Sequence, residues 1–497
     1  MVKIRKTPGV YVEEVSNLAP SVASVATAIP AFLGYTKKGT AYEPKAIRSY
    51  LEYVAEFGGA PEIIYGKTTN AKPGTIQNEK FVMANAVRMY FDNGGGKCYI
   101  VSVGSYTSTT SKDHFIGNAE KNITGGLPAI EAVDEVTLLA CPDAALIFTE
   151  TDLGEIQKQM LAQCAKTMDR FAILDAVKGT GSDNFTTFKT NIGDNNLSYG
   201  AAYYPNLVHS YDADIKPASI ANYLMDNNKD LATAVKEMPK KLEAAKAAEA
   251  AKAAGQEFEE VKIDQAQKDL YDFYTKLTST DELDLKAAKA NTLYKDALAA
   301  LQDMASEITP SGAVLGAIVS TDANFGVWKA PANISLAAVK DVKEALSSAD
   351  QEDLNVDADT GKNINCIRKF FGKGIIVWGA RTLDGFSDEW RYIPVRRLFN
   401  YIEESVQKST MWAVFEPNDE NTWVKIKCQI ANFLTNIWRQ GALVGATPED
   451  AFFVNVGVPT TMTADDVKNG RMIVEVGIAA SRPAEFITLV FSHKMEQ

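Results

Sequence analysis

Apolar positions along the chain follow two different periods. Residues 29–35 (Ile-Pro-Ala-Phe-Leu-Gly-Tyr) form an unbroken apolar run of strand length and read as a buried strand. From Glu79 to Phe91 the spacing changes to three and four, with Phe81, Ala84, Val87 and Phe91 on one helical face. Gly94-Gly95-Gly96 ends that helix, and Lys97 to Val103 returns to strand character. Three more strands are predicted at Val136–Ala140, Phe171–Val177 and Ala201–Val208, with a helical stretch, Gly154–Met168, between the first two. Strands and helices alternating at this spacing predict βαβ units and an α/β body.

The pattern changes at residues 222–307. This stretch is rich in Ala, Lys, Glu, Asp and Leu, its apolar stripe is thin, and Gly255 and Ser279-Thr280-Asp281 are natural breaks. It reads as an exposed helical hairpin or small bundle inserted into the body. No heptad runs through it cleanly, which favours a solvated insertion over a coiled-coil surface. From Pro310 the compact pattern resumes. Asn363–Phe371 has helical spacing, Gly374–Gly379 reads as a strand, Tyr392–Trp412 and Asn421–Gln440 as long helices, and 451–458 and 471–480 as strands.

Both ends carry strands without local partners. Pro8-Gly9 is a turn signal, followed by the β-prone Val10-Tyr11-Val12-Glu13-Glu14-Val15. At the other end Arg482-Pro483 opens Glu485-Phe486-Ile487-Thr488-Leu489-Val490-Phe491, where Ile487, Leu489 and Phe491 share one face and Phe486 and Val490 the other. A strand apolar on both faces needs to be paired or sandwiched, either far away in the chain or against another chain.

Composition narrows the function. With 497 residues the prior is about three domains. A hydrophobic fraction of 46% and a charged fraction of 23% are those of a globular protein. A net charge of −12 argues against wrapping nucleic acid. The five cysteines are scattered and never in C-x-x-C spacing, so buried thiols are expected rather than zinc ligands or a disulfide framework. No apolar run reaches the ~20 residues of a membrane helix, and the start lacks the apolar core of a signal peptide, so synthesis and folding in the cytoplasm are expected.

The candidate chemistry is thin. His114, His209 and His493 lie far apart and outside any metal-ligand spacing, and no G-x-S-x-G elbow flanks a serine. Asn93-Gly94-Gly95-Gly96-Lys97-Cys98 looks like a phosphate loop, but Cys98 stands where Ser or Thr is needed and the order is helix then strand. Glu13 and Glu14 are adjacent on a strand and point to opposite faces, so they share no site. Arg391, Arg396 and Arg397, with Glu403 and Glu404 nearby, read as structural ion pairs. Trp423–Arg439 carries Lys425, Lys427 and Arg439 and no acidic residue. It is either a core helix with basic ends or a docking surface for an acidic partner.

Five segments in order resemble the contractile tail sheath family of phage tails, contractile bacteriocins and extracellular contractile injection systems. They are Thr7-Pro8-Gly9-Val10-Tyr11-Val12-Glu13-Glu14; Ser198-Tyr199-Gly200-Ala201-Ala202-Tyr203-Tyr204-Pro205; Pro310 to Gly316 with Thr321-Asp322 and Gly326 to Asn333; Ile364 to Arg368 with Val377 to Leu383; and Trp390 to Leu398 running on to Phe415-Glu416-Pro417-Asn418. Residues 212–309 depart from the family pattern, which has a much shorter connection there.

The resemblance implies a mixed α/β, multi-domain sheath fold. Its parts are an N-terminal arm with a donated strand (1–28), an α/β body (29–211), a return to the body (310–361), an inner C-terminal domain (362–480) and a C-terminal arm strand (481–497); between the two body segments stands the helical insertion (212–309), whose polarity, not the resemblance, places it facing outward. It implies that Val10, Tyr11 and Val12, and Phe486, Ile487, Thr488, Leu489 and Val490, are strands exchanged between subunits. Lys425, Lys427 and Arg439 become candidates for docking on the tube. The implied function is a structural subunit, not an enzyme. It would polymerise as stacked, sixfold rings around an inner tube and contract to drive the tube through a target envelope, with no cofactor, metal or nucleotide. Its partners would be other copies of itself, the inner tube protein and baseplate and terminator or cap proteins, with no nucleic acid and no direct membrane insertion. It would be assembled in the bacterial cytoplasm, as part of a phage tail or a phage-tail-like particle, released or not. A baseplate-proximal or cap protein with the same fold, and an α/β enzyme with a helical insertion, are the alternatives.

Overall fold

The computed structural model describes residues 22–67, 74–179, 185–257, 259 and 261–486. Among them the chain divides into two compact units. One, here called the body, is Ala26–Arg397; the other is Leu398 onward together with the residues before Ala26.

The body is built on a nine-stranded sheet. Its centre is six parallel strands: β1 (Pro30–Thr36), β2 (Cys98–Ser105), β3 (Leu138–Ala140), β4 (Phe171–Asp175), β5 (Gly200–Tyr204) and β6 (Ile364–Phe370). They lie in the order β2-β1-β3-β4-β5-β6. Antiparallel strands close both flanks: Lys45–Ile47 beside β2, and β7 (Gly374–Val377) followed by Ile334–Ser335 beside β6. Alternate residues of each strand face opposite cores. Phe32, Ile100, Leu138, Ile173 and Tyr203 pack with helices α1 (Met83–Asp92) and α8 (Ser311–Phe325). Leu33, Val101, Leu139, Leu174 and Ala202 pack with α2 (Glu150–Thr167) on the other side. Burial on both faces is why these strands read as continuous apolar runs.

Three expectations need correction. Asn363–Phe371 is strand β6, not helix. Its Ile364, Ile367 and Phe370 happen to recur every third residue, yet Ile364 and Ile367 face different cores. Residues 364–377 therefore complete the body sheet, and the sequence boundary at 362 falls inside the body rather than at the start of a C-terminal domain. The run Ala201–Val208 is two strands. Pro205 has no amide hydrogen to continue the ladder, and Leu207–His209 joins a separate small sheet with Glu307–Ile308 and Val339–Val342.

The insertion is five helices: α3 (Pro217–Asn227), α4 (Lys229–Ala253), α5 (Gln265–Leu277), α6 (Glu282–Ala290) and α7 (Thr292–Met304). They close on a small core of Ile220, Leu231, Phe273, Leu277, Tyr294 and Leu301. Both ends are tied to the body by strand pairing: Asp214–Ile215 on Glu62–Ile63, and Glu307–Ile308 on Leu207–Val208. Asp264, Asp281 and Asn291 cap helices α5, α6 and α7, which fixes the breaks near Gly255 and Ser279 as helix starts.

Candidate assembly site

The unit beyond Arg397 is built from the later turns of α9 (Ile393–Thr410), from α10 (Glu420–Arg439) and from a two-stranded antiparallel sheet, β8 (Phe452–Val456) and β9 (Val474–Ile478). Ile426, Ile430, Phe433, Leu434 and Ile437 form the buried face of α10. Gln429 bridges the two helices, accepting from Trp412 Nε1 at 2.9 Å and donating to the Ser409 carbonyl at 3.0 Å. The chain before the body runs along α9, where the Ala23 and Val25 amides donate to the Ser409 and Ser405 hydroxyls at 3.1 and 3.3 Å. Across the sheet Phe453 pairs with Gly477, and its ring covers the space a side chain would fill there.

Two strands alone are marginal, and both outer edges of this pair lack a partner strand among the described residues. Apolar side chains surround the open edges. Phe415 is 103% exposed, Phe453 49% and Val476 36%. A groove of about 610 Å³ lies beside β9, walled by Val406, Val414, Phe415, Ile426, Met472, Val474 and Val476. An apolar groove next to an unpaired strand edge is the geometry of β-strand addition. Of the residues expected to supply such strands, Val10, Tyr11, Val12 and Ile487 to Val490 lie outside the described residues. Phe486 is exposed and in no strand.

Lys425, Lys427 and Arg439 are all exposed on α10. At 100° per residue Lys425 and Arg439 fall about 40° apart, on one polar stripe with Asn432 and Asn436. Lys427 lies about 160° from Lys425, on the flank with Val424 and Trp438. The fold therefore brings two of the three basic residues onto one face.

The body bears on whether the chain is an enzyme. In a parallel sheet of order 2-1-3-4-5 ligands bind outside the carboxyl ends of the strands, where the winding reverses between strands 1 and 3. Here that place is filled. Asp143, three residues past β3, accepts the Tyr35 amide at the end of β1 (2.7 Å) and the Val82 and Met83 amides at the start of α1 (2.7 and 2.8 Å). Its carboxylate stands where a ligand phosphate would meet a helix N-terminus. One strand over, Asp175 at the end of β4 accepts the amide and hydroxyl of Ser311, which opens α8, at 2.9 and 2.8 Å. Burial pushes both carboxyls up to about 7 against those hydrogen bonds. Nothing in the sequence around Asp143 signals this role.

Of the other sequence candidates, Glu13, Glu14 and His493 lie outside the described residues, and the histidines and Arg397 within them have structural partners. His114 meets the Tyr35 hydroxyl at 3.0 Å, and buried His209, its pKa lowered to about 4 by burial, accepts from the Tyr211 amide. Gly94, at φ 94, is the glycine of the helix stop. Cys98, Cys141, Cys164 and Cys366 are buried, and Cys428 is exposed. Arg397 pairs with Asp322, not with Glu403 or Glu404.

Comparison with known proteins bears on the same region. The model of the phage tail sheath C-terminal domain matches residues 387–493. The tail sheath protein of Vibrio phage KVP40 is 26% identical over 181 residues, 36% of this chain. The match spans about a quarter of that relative, 26% of its length. Two solved assemblies match end to end. A chain of the anti-feeding prophage baseplate is 29% identical, with 99% of this chain and 100% of that chain covered and a TM-score of 0.61. A chain of the PVC sheath complex of an extracellular contractile injection system, in its contracted state, is 27% identical, with 99% of each chain covered and a TM-score of 0.60.

The chain carries a phage tail sheath C-terminal domain and resembles contractile sheath assemblies along its whole length.

The matched sheath C-terminal domain, residues 387–493, takes in the open-edged sheet, the groove and α10. The mixed α/β fold is likewise that of the matched assemblies.

Proposed function

We propose that this chain is a structural sheath subunit that polymerises as stacked, sixfold rings around an inner tube and contracts to drive the tube through a target envelope. The observation that carries the reading is the open β8–β9 pair beside an apolar groove, in a chain similar over its whole length to a sheath captured contracted. The arms are the occupants: residues 10–12 of one neighbour and 486–490 of another add strands to the open edges. Backbone hydrogen bonds then hold a continuous mesh while the bodies repack between two lattices. The driving energy is the difference in buried surface between those lattices, summed over many copies. The filled crevices at Asp143 and Asp175 support a non-enzymatic role. The insertion, polar on most of its surface, faces outward. Its partners besides other copies are the inner tube, the baseplate and a terminator or cap protein, and assembly takes place in the bacterial cytoplasm.

Electron microscopy of the purified full chain, with and without its tube protein, tests the reading. Striated hollow cylinders are expected, and a uniform small species under both conditions overturns it. A second reading, a sheath-fold subunit confined to the baseplate, is favoured by the 29% match to a baseplate chain. It predicts single rings or short collars in place of long cylinders.

The basic stripe is the proposed contact with the tube. Charge reversal at Lys425 and Arg439 together should weaken co-sedimentation with the tube roughly tenfold, because exposed charges set docking more than folding. Reversal at Lys427 alone should have a smaller effect. Equal loss from all three positions would mean that the stripe is not the docking face.

A further inference from the structure

Both connections between the body and the rest of the chain are held by one guanidinium. The first crossing is at Val25/Ala26 and the second at Arg397/Leu398. Arg397, the last residue before the second crossing, donates from Nη1 and Nη2 to the two carboxylate oxygens of Asp322, at 2.9 and 2.6 Å. Its Nη2 also donates to the carbonyl of Thr27, just after the first crossing, at 2.9 Å. The Arg397 and Asp322 side chains are 3% and 4% exposed. Asp322 lies on α8, a helix packed on the body sheet. Next to Arg397, the Arg396 guanidinium lies over the rings of Trp390 and Tyr199, with 4.1 and 4.8 Å to the centroids.

We propose that Arg397 and Asp322 form a clamp that pins both crossings to one point of the body, so that the body turns about a single pivot when the sheath changes length. The clamp is read from the geometry alone, and its use as a pivot rests on the sheath reading above. The chemistry requires arginine. Its planar fork takes a carboxylate bidentately and still has a hydrogen to give a third acceptor, which a lysine ammonium cannot do in the same arrangement. Stability alone does not explain the pair, since a buried ion pair can often be replaced by apolar residues of similar volume without loss. What such a replacement cannot supply is the bond to the Thr27 carbonyl. The pair also joins two distant segments of the sequence, Thr321-Asp322 and Trp390 to Leu398.

The test is amide hydrogen exchange on the unassembled full chain for wild type, Arg397→Lys and the double variant Arg397→Met/Asp322→Leu. The double variant removes both charges together, so the test stays decisive should Arg397→Lys fold poorly. Exchange at Ala26–Ile29 and at Leu398–Ile402 is expected to quicken roughly tenfold in the double variant, with β1 and β4 unchanged. Wild-type rates at either crossing overturn the clamp. In assembled cylinders the double variant should give a spread of ring spacings where wild type gives one. A single wild-type spacing overturns the pivot. Failure of wild type to form cylinders overturns the sheath reading and leaves the exchange result on the clamp standing.

Discussion

Deleting residues 1–20 is expected to leave a folded subunit that no longer forms cylinders, and deleting 484–497 is expected to do the same. The β8–β9 pair lacks a partner strand on each outer edge among the described residues, and the groove beside β9 exposes apolar walls. Each added strand would supply a ladder of backbone hydrogen bonds, individually worth about 1 kcal/mol net, plus apolar burial in the groove. Repeated at every subunit, that contribution decides whether a polymer exists, so the effect on assembly should be all or none. The thermal midpoint of the body should hardly move, since both deletions lie outside Ala26–Arg397. Val476→Glu gives an independent check. It leaves both arms in place and puts a charge on the groove wall, and it too should abolish cylinders while preserving the fold. Small amounts of the 1–20 deletion mixed into wild type should shorten the cylinders, because such a subunit accepts strands but donates only one. Cylinders of normal length from either deletion would remove strand exchange from the reading.

The parts of this architecture that were legible in the sequence are those whose burial leaves a periodic trace. Pro30–Thr36, Cys98–Ser105 and Phe171–Asp175 are apolar runs of strand length because both faces are covered, and α10 shows its buried stripe at Ile426, Ile430, Phe433 and Ile437. The same double burial hid β6. Over its buried first four residues, Ile364–Ile367, the alternation disappears, and Ile364, Ile367 and Phe370 mimic a helical spacing. That one misreading also misplaced the boundary, since a helix at 363–371 would have stood outside the sheet. The basic character of α10 was legible, and so, by counting residues around a helix, was the separation of Lys427 from Lys425 and Arg439, though charge alone did not suggest it. Arg397 was singled out with the wrong partners, because Asp322 lies 75 positions away, and neighbours in sequence, Glu403 and Glu404, offered a simpler pairing. Asp143 left no trace. A lone aspartate after Cys141-Pro142 reads as a turn, and its three amide donors come from two distant segments.

That aspartate carries the largest stability effect expected in the body. Asp143→Ala would leave the buried amides of Tyr35, Val82 and Met83 without an acceptor, at about 1–3 kcal/mol for each one left unmet. Asp143→Asn should cost less but still about 2 kcal/mol. One oxygen can keep Val82 and Met83, while the amide NH₂ is forced to face the Tyr35 N–H. Asp175→Asn is the contrasting case. Its oxygen keeps the Ser311 amide, and the Ser311 hydroxyl can rotate from donating to accepting, so the cost should stay below about 1.5 kcal/mol. The two carboxyls also set a pH dependence. Each is held at about 7 in the folded protein against an ordinary value of 3.8, so between those values the folded state binds more protons than the unfolded one. Their contribution is greatest below about pH 4 and is lost as the pH rises through 7. Asp175→Asn removes one of these groups, so the variant should be less stable than wild type at pH 5 and should regain the deficit, or exceed wild type, at pH 8. Urea unfolding followed by tryptophan fluorescence at the two pH values measures both effects. Equal losses for Asp143→Asn and Asp175→Asn, or a difference from wild type that does not change with pH, would mean that neither carboxyl has the role its hydrogen bonds assign.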